Sequence, residues 1–313
     1  MSKKPWLIRF GVLSLLFGLA ACEDSGTDGS SAPGHPSRSS SVRIYTVNYP
    51  LAWMAERIGG DAIEVVLPIP QGMDPTHWQP APEVVLDYQS ADLVLLNGVG
   101  YAGWIRFASL SEGKLVDTSR GLEDRFVEAG EITHTHGPDG EHDHGNVASH
   151  TWLDPAIATR QAEAVSKALT ALGIDDEGAL RARLAIVQSD LAGLDQRLAA
   201  ILGPWRDKGV LYSHPVYQYL DSRYELGGRS VTWEPGQDPG EEEWQGLASR
   251  LAERPASIML WEGDPLPSIA ERLRQLGVEP VVFDLGALPP AEGDYLTIMN
   301  KNLERLADLR PPP

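Results

Sequence analysis

From Arg43 onward, short apolar runs alternate with amphipathic stretches. "RIYTV" (43–47) has the continuous apolar and β-branched character of a buried strand. "PLAWMAERIG" (50–59) predicts a helix opened by Pro50 and stopped at Gly59-Gly60. "AIEVVLPI" (62–69) predicts the next strand, "PEVVLDYQSA" (82–91) a helix, and "DLVLLNGV" (92–99) a buried strand ending in Asn-Gly. Strand and helix in alternation predict parallel βαβ units with helices on both faces.

The middle of the chain changes period. "PAIATRQAEAVSKALTALG" predicts an Ala-rich helix with Pro155 in its first turn and Gly173 at its end. A longer helical pattern follows from about Asp176 to Leu202. Its apolar residues Leu180, Leu184, Val187, Leu191, Leu194 and Leu198 recur at spacings of three and four, and acids crowd its first turn, where the helix dipole favours them. About 27 residues at 1.5 Å each give roughly 40 Å, enough to run across two domains.

A second alternation closes the chain. "GVLYS" is a strand, "PVYQYLDSRYEL" a helix, "RSVTWEP" a strand or extended segment, and "EEEWQGLASRLAER" a helix. "ASIMLWEG" and "PVVFDLG" are strands separated by the helix "PSIAERLRQLG", and "GDYLTIMNKNLERLADL" is the last helix. The fold class expected is α/β: two lobes, each with a mainly parallel sheet flanked by helices, bridged by one long helix. The expected boundaries are 43–175 for the first lobe, 176–203 for the linking helix and 204–313 for the second lobe. No repeat of 20–50 residues is apparent.

The first 42 residues stand outside this pattern. Residues 1–22, "MSKKPWLIRFGVLSLLFGLAAC", have a basic start, an apolar run and small residues at the end, the layout of a secretory leader. The run from Gly11 to Ala21 is shorter than the ~20 apolar residues a membrane-spanning helix needs. The only cysteine, Cys22, closes the run in "LAAC". This resembles the lipobox of bacterial lipoproteins, in which the cysteine is lipidated and becomes the new N-terminus. An exported lone thiol has no disulfide partner, and lipidation accounts for it. Residues 23–42 are Ser/Gly/Pro-rich and read as a flexible tether; His35 in it has no expected role.

The 313 residues carry a formal charge of −18. Removing Lys3, Lys4 and Arg9 with the leader leaves 23 basic against 44 acidic residues, a net charge of −21. So acidic a surface argues against nucleic acid as a partner.

Chemistry gathers where an open parallel sheet presents it, beyond the carboxyl ends of the strands. His214 in "GVLYSHPVY", Glu262 in "SIMLWEGD" and Asp284 in "PVVFDLG" each follow a strand. His77 lies in "PIPQGMDPTHWQP", the loop after "AIEVVLPI". His150, in "ASHTWLDP", precedes the helix that Pro155 opens. Three histidines and a carboxylate suit a tetrahedral transition-metal site. Two ligands would come from each half, so closing the metal site would also close the lobes. A single histidine after a strand is more often structural than a ligand, so spacing alone leaves this site as one arrangement among several.

The stretch "THTHGPDGEHDHGNVASHTWLDP" (133–155) holds five of the eight histidines. His134, His136, His142 and His144 sit among Gly, Asp and Pro. They read as weak, flexible metal binders, because ordering each imidazole lowers affinity. The alternative is a spacer of biased composition.

"VNYPLAWMAERIGGDAIEVVLPIPQGMDPTHWQPAPEVVLDYQSADLVLLNGVGYAGWI" resembles the opening of the zinc/manganese-type substrate-binding proteins of bacterial ABC importers. "SHTWLDP", "SHPVYQYLDSRYEL" and "FDLGALPPAEGDYLTIMNKNLERL" resemble that family's later blocks, in order, from about Arg43 to Leu306. The resemblance implies a metal in the cleft between two lobes joined by a rigid helix, held by His77, His150, His214 and Asp284. It departs at His77, where Thr76 intervenes after "DP", and at "RSVTWEPGQDPGEEEW", which is richer in Trp and acids than expected. Glu262 matches a position that supports a ligand rather than binding the ion. Trp78, Trp104, Trp152 and Trp261 are expected to pack around the cleft.

A histidine at position 214 is typical of zinc members and glutamate of many manganese members. A nitrogen-rich four-ligand set favours Zn²⁺ over Mn²⁺. The implied protein is a monomer with no catalytic activity, lipid-anchored through Cys22 on the outer side of a bacterial membrane, passing Zn²⁺ to an ABC permease. Manganese or iron delivery is the alternative within the family. A secreted zinc hydrolase is the alternative outside it, and lacks support because no H-E-x-x-H occurs; a metal-binding adhesin is another.

Overall fold

A computed structural model describes residues 41–129 and 147–311. The leader with Cys22, the expected tether up to residue 40, and the histidines at 134, 136, 142 and 144 lie outside the described residues; Val42, expected to end the tether, instead opens the first strand.

The first sheet has the order β2-β1-β3-β4, all parallel, from β1 (Val42–Thr46), β2 (Ile63–Val66), β3 (Leu93–Leu96) and β4 (Leu115–Asp117). The second repeats that order as β6-β5-β7-β8, again all parallel, with β5 (Val210–Tyr212), β6 (Arg229–Ser230), β7 (Ile258–Trp261) and β8 (Glu279–Val282). In both, the chain leaves the first strand in one direction and returns to its other side. A crevice therefore opens at the carboxyl ends of β1 and β3, and of β5 and β7. The two α/β lobes are as the alternation predicts. The short strand β4 is an addition, since three half-buried residues carry no readable period.

Helices α1 (Tyr49–Gly59) and α2 (Pro82–Ser90) belong to the first sheet; α3 (Pro155–Ala171) and α4 (Glu177–Leu202) follow. Helices α5 (Gln218–Tyr224), α6 (Glu241–Glu253) and α7 (Pro267–Gln275) connect the second sheet, and α8 (Tyr295–Ala307) ends the fold. Asp176 caps α4 by accepting from the backbone N–H of Gly178 at 2.8 Å and of Ala179 at 3.2 Å, satisfying two otherwise orphaned donors. Helix α5 starts three residues later than the sequence predicts, because a turn through His214–Val216 comes first, closed by Val216 N–H to His214 C=O at 2.9 Å.

Leu180, Val187, Leu191, Leu194, Leu198 and Leu202 of α4 are buried, and Leu184 partly so. The helix packs on α1, α3 and α8. One continuous apolar core runs from Ile44 through α4 to Phe283 and Leu306, so the lobes share their interior. Smaller cores cover the far face of each sheet. All four tryptophans expected to pack are buried: Trp78 and Trp104 in the outer core of the first lobe, Trp261 in that of the second, and Trp152 in the shared core.

The segment from Leu285 to Asp294 leaves the second sheet and is fastened to the first lobe. The indole of Trp152 donates to Leu285 C=O at 2.8 Å, and Tyr49 N–H to Ala287 C=O at 2.9 Å. Gln71 reaches Pro289 C=O at 3.2 Å, and the indole of Trp53 donates to Asp294 at 3.1 Å. Among the described residues, no helix is long and apolar enough to cross a membrane.

Candidate metal centre

The loop after β2 presents His77. Asp74 shapes that loop by accepting from the N–H of Thr76 at 2.8 Å and its hydroxyl at 2.7 Å, a local turn that short acidic side chains favour. The same carboxylate lies 2.8 Å from His77 Nδ1. That bond and Asp74's charge, with Glu234 and Glu262 adding to it, outweigh desolvation and raise the His77 pKa. Desolvation of Asp74 is overcome in turn by its bonds to His77 and Thr76, which hold it below the usual carboxylate range. Nδ1 is thereby engaged by the Asp74 carboxylate, which fixes the orientation of the ring.

His150 is buried, with its ring edge-on to Tyr101 at 5.6 Å between centroids and 5.1 Å from Trp152. Burial pushes its pKa down to about 4, aided by the positive charges of His214 and His77 and opposed by Asp74. This imidazole is neutral at ordinary pH. Its backbone is set by Asn97, at the carboxyl end of β3: Asn97 donates to Ser149 C=O at 2.8 Å and accepts from the Thr151 hydroxyl at 3.0 Å. Asn48, after β1, and Gln161 of α3 complete this buried polar knot.

His214 and Glu262 follow the neighbouring strands β5 and β7, so the sheet places them side by side. Glu262 Oε1 lies 3.3 Å from His214 Nδ1, and Glu234 Oε1 lies 3.9 Å from Nε2. Desolvation depresses the His214 pKa, but the bond to Glu262 and the charges of Glu262, Glu234 and Asp74 override it and raise the value.

Asp284 follows β8. Asn302 of α8 grips its backbone from both sides, accepting from the N–H at 3.0 Å and donating to the C=O at 2.8 Å. One carboxylate oxygen accepts from Gly286 N–H at 2.8 Å. Burial raises the Asp284 pKa against that bond.

All four positions lie at the carboxyl ends of the two sheets or on the adjoining loops, and His150 feels the charge of the other two imidazoles. As placed they do not converge on a point: among the described residues, no three His, Cys, Asp or Glu side chains are close enough to hold one ion. Sequence reasoning missed Asp74, Asn97 and Glu234. Asp74 had a signal, an Asp three residues before His77 in "DPTH". Asn97 and Glu234 had none, because their partners are 52 and 20 positions away.

A model of the family "Zinc-uptake complex component A periplasmic" matches residues 44–309, nearly the whole described chain. The chain belongs to that family. The high-affinity zinc uptake system protein ZnuA of Bacillus subtilis is 25% identical over 317 residues, covering 97% of this chain and 98% of the relative. The manganese ABC transporter substrate-binding lipoprotein PsaA of Streptococcus pneumoniae is also 25% identical, covering 95% of each. The crystal structure of the Zn(II)-bound ZnuA-like domain of Streptococcus pneumoniae AdcA shares the fold, with a TM-score of 0.70 at 21% identity over 85% of this chain and 97% of that one. The zinc-uptake family supplies binding components of transporters, not enzymes, and its members work with ABC permeases.

Proposed function

We propose that this protein captures Zn²⁺ with high affinity in the crevice between the lobes and delivers it to the permease of an ABC importer. It catalyses no reaction. His77, His150, His214 and Asp284 take the ion, and the lobes draw together around it. The tract at 134–144 gathers zinc weakly. Cys22 carries the lipid that holds the monomer on the outer side of the membrane, with the residues between it and the start of β1 at Val42 as its leash.

The observation that carries this reading is the aiming of the imidazoles. Asp74 lies 2.8 Å from Nδ1 of His77 and Glu262 3.3 Å from Nδ1 of His214, so a carboxylate orients each ring. Metal-ligating histidines characteristically give their second nitrogen to a carboxylate. Three nitrogens with one carboxylate oxygen match the ligand preference of Zn²⁺. The zinc-named relative, matched along almost its full length, points the same way. Calorimetric titration of the protein with Zn²⁺ in the presence of Mn²⁺ tests it. One tight Zn²⁺ equivalent that an equal concentration of Mn²⁺ does not displace is expected; displacement would turn the assignment to manganese.

Asp74→Ala should weaken zinc binding by about tenfold or more, because loss of a ligand's supporting carboxylate typically has that effect. Unchanged affinity would mean that His77 needs no orienting partner.

Capture should also weaken as pH falls, beginning above pH 6.5. His150 is already neutral there and releases no proton on binding. His77 and His214, with raised pKa values, do. Metal binds the neutral form, so each competing proton removes about one log unit of affinity per pH unit below its pKa, about two in all. A competition titration from pH 5.5 to 8 that found no proton release would contradict this.

A further inference from the structure

The Trp- and acid-rich segment at 230–244 supplies none of the four ligands proposed above. Its start is nevertheless fixed. Val231 N–H donates to Tyr212 C=O at 2.9 Å and Trp233 N–H to Ser213 C=O at 2.7 Å. Pro235 C=O accepts from Leu266 N–H at 3.2 Å. The Trp233 ring is buried against Trp244, 4.6 Å between centroids, and near Trp261 at 6.5 Å. Glu234 stands between two fastened residues, half-exposed, at the carboxyl end of the second sheet.

The imidazole of His214 lies between two carboxylates. Glu262 is at Nδ1 and Glu234 at Nε2. An ion bound to Nε2 would therefore meet Glu234. Two donors at about 2.0–2.1 Å from a tetrahedral ion are about 3.3 Å apart. The 3.9 Å between Nε2 and Glu234 Oε1 exceeds this by a small side-chain rotation. The negative charge of Glu234 also helps to raise the His77 pKa in the opposite lobe.

We propose that Glu234 is an oxygen ligand of the transported ion, bound next to His214 and giving the site a second carboxylate donor beside Asp284. This rests on the metal-capture reading above. It makes the set three nitrogens and two oxygens, which moves the site's preference toward ions that take more oxygen, such as Mn²⁺. Its side chain is half-exposed, as is that of His77, so both are open to a hydrated cation.

The test is titration of wild type, Glu234→Ala, Glu234→Gln and the remote control Glu242→Ala with Zn²⁺ and with Mn²⁺, at about 0.1 M and about 1 M NaCl. Both Glu234 variants should lose at least tenfold in Zn²⁺ affinity at either salt concentration and more than that for Mn²⁺. The control should match wild type. Wild-type affinity in the Glu234 variants overturns the proposal. So does a loss that disappears at high salt, since the screening length falls to about 3 Å at 1 M and a charge acting through space would be silenced. Wild type that took Mn²⁺ but not Zn²⁺ would sink the zinc assignment alone, and Glu234 would then be judged on Mn²⁺. Wild type that took neither would sink both.

Discussion

His214→Ala is expected to abolish tight one-to-one zinc binding, while deletion of residues 134–144 leaves that binding in place and removes only extra, weaker equivalents. The two parts differ in preorganisation. His214 lies two residues past the end of β5, its ring lies between Glu262 and Glu234, and the strand beneath it is buried. It gives up little freedom on binding. The four histidines of the tract stand in a Gly/Asp/Pro sequence, a composition from which weaker binding is expected, since fixing a flexible residue costs about 1–2 kcal/mol of backbone entropy. Removing one of the three nitrogen donors proposed above would also leave Zn²⁺ with a poorer set. Calorimetry on both variants decides. A deletion variant with no tight site, or a His214→Ala protein that retains one, would move the principal site into the tract.

Trp152→Ala is expected to lower stability by about 3–5 kcal/mol, the usual range for removing a buried large aromatic. In a chain this long that corresponds to a fall of about 10 °C in melting temperature. Trp152 is fully buried in the core the lobes share, packs on Tyr101 and His150, and donates to Leu285 C=O. Trp152→Phe separates the contributions. It keeps an aromatic ring but strands the carbonyl, so a loss of about 1–3 kcal/mol is expected. Melting curves of the metal-free protein measure both. If the two variants lost the same amount, packing of the larger ring would contribute nothing, and the hydrogen bond alone would explain the effect.

The architecture was legible because its signals are local. Pro155 opening a helix, the three-and-four spacing of leucines from Leu180 to Leu198, and the apolar run of 258–261 each announce an element without reference to the rest of the chain. Elements without an internal period were harder. β4 is three half-buried residues, and β6 only two. Among the site residues, the histidines could be named because few side chains offer a nitrogen donor at the end of a strand. What aims them could not. Asp74, close in the chain to His77, left a trace. Asn97 holds the segment around His150 across 52 positions, and Glu234 meets His214 across 20, through a fold no short motif encodes. The resemblance to metal-binding components of ABC importers supplied the grouping of the four ligand positions, which spacing alone left open. The family match covers the region that holds these four positions, and their grouping as ligands is the proposal that the titrations above test.

The strap from Leu285 to Asp294 limits how the carrier can behave in solution. Trp152, Tyr49, Gln71 and Trp53 tie it to the first lobe by four hydrogen bonds, and Arg57 lies 3.6 Å from Asp294 as well. A wide swing of one lobe away from the other would break these together. At about 1 kcal/mol each, the four bonds amount to about 4 kcal/mol. Spontaneous gaping would then occupy about one molecule in a thousand. Loss of cargo between capture and delivery is correspondingly rare, and the residence time of the ion becomes a property the docking partner sets, by supplying the work that undoes the strap.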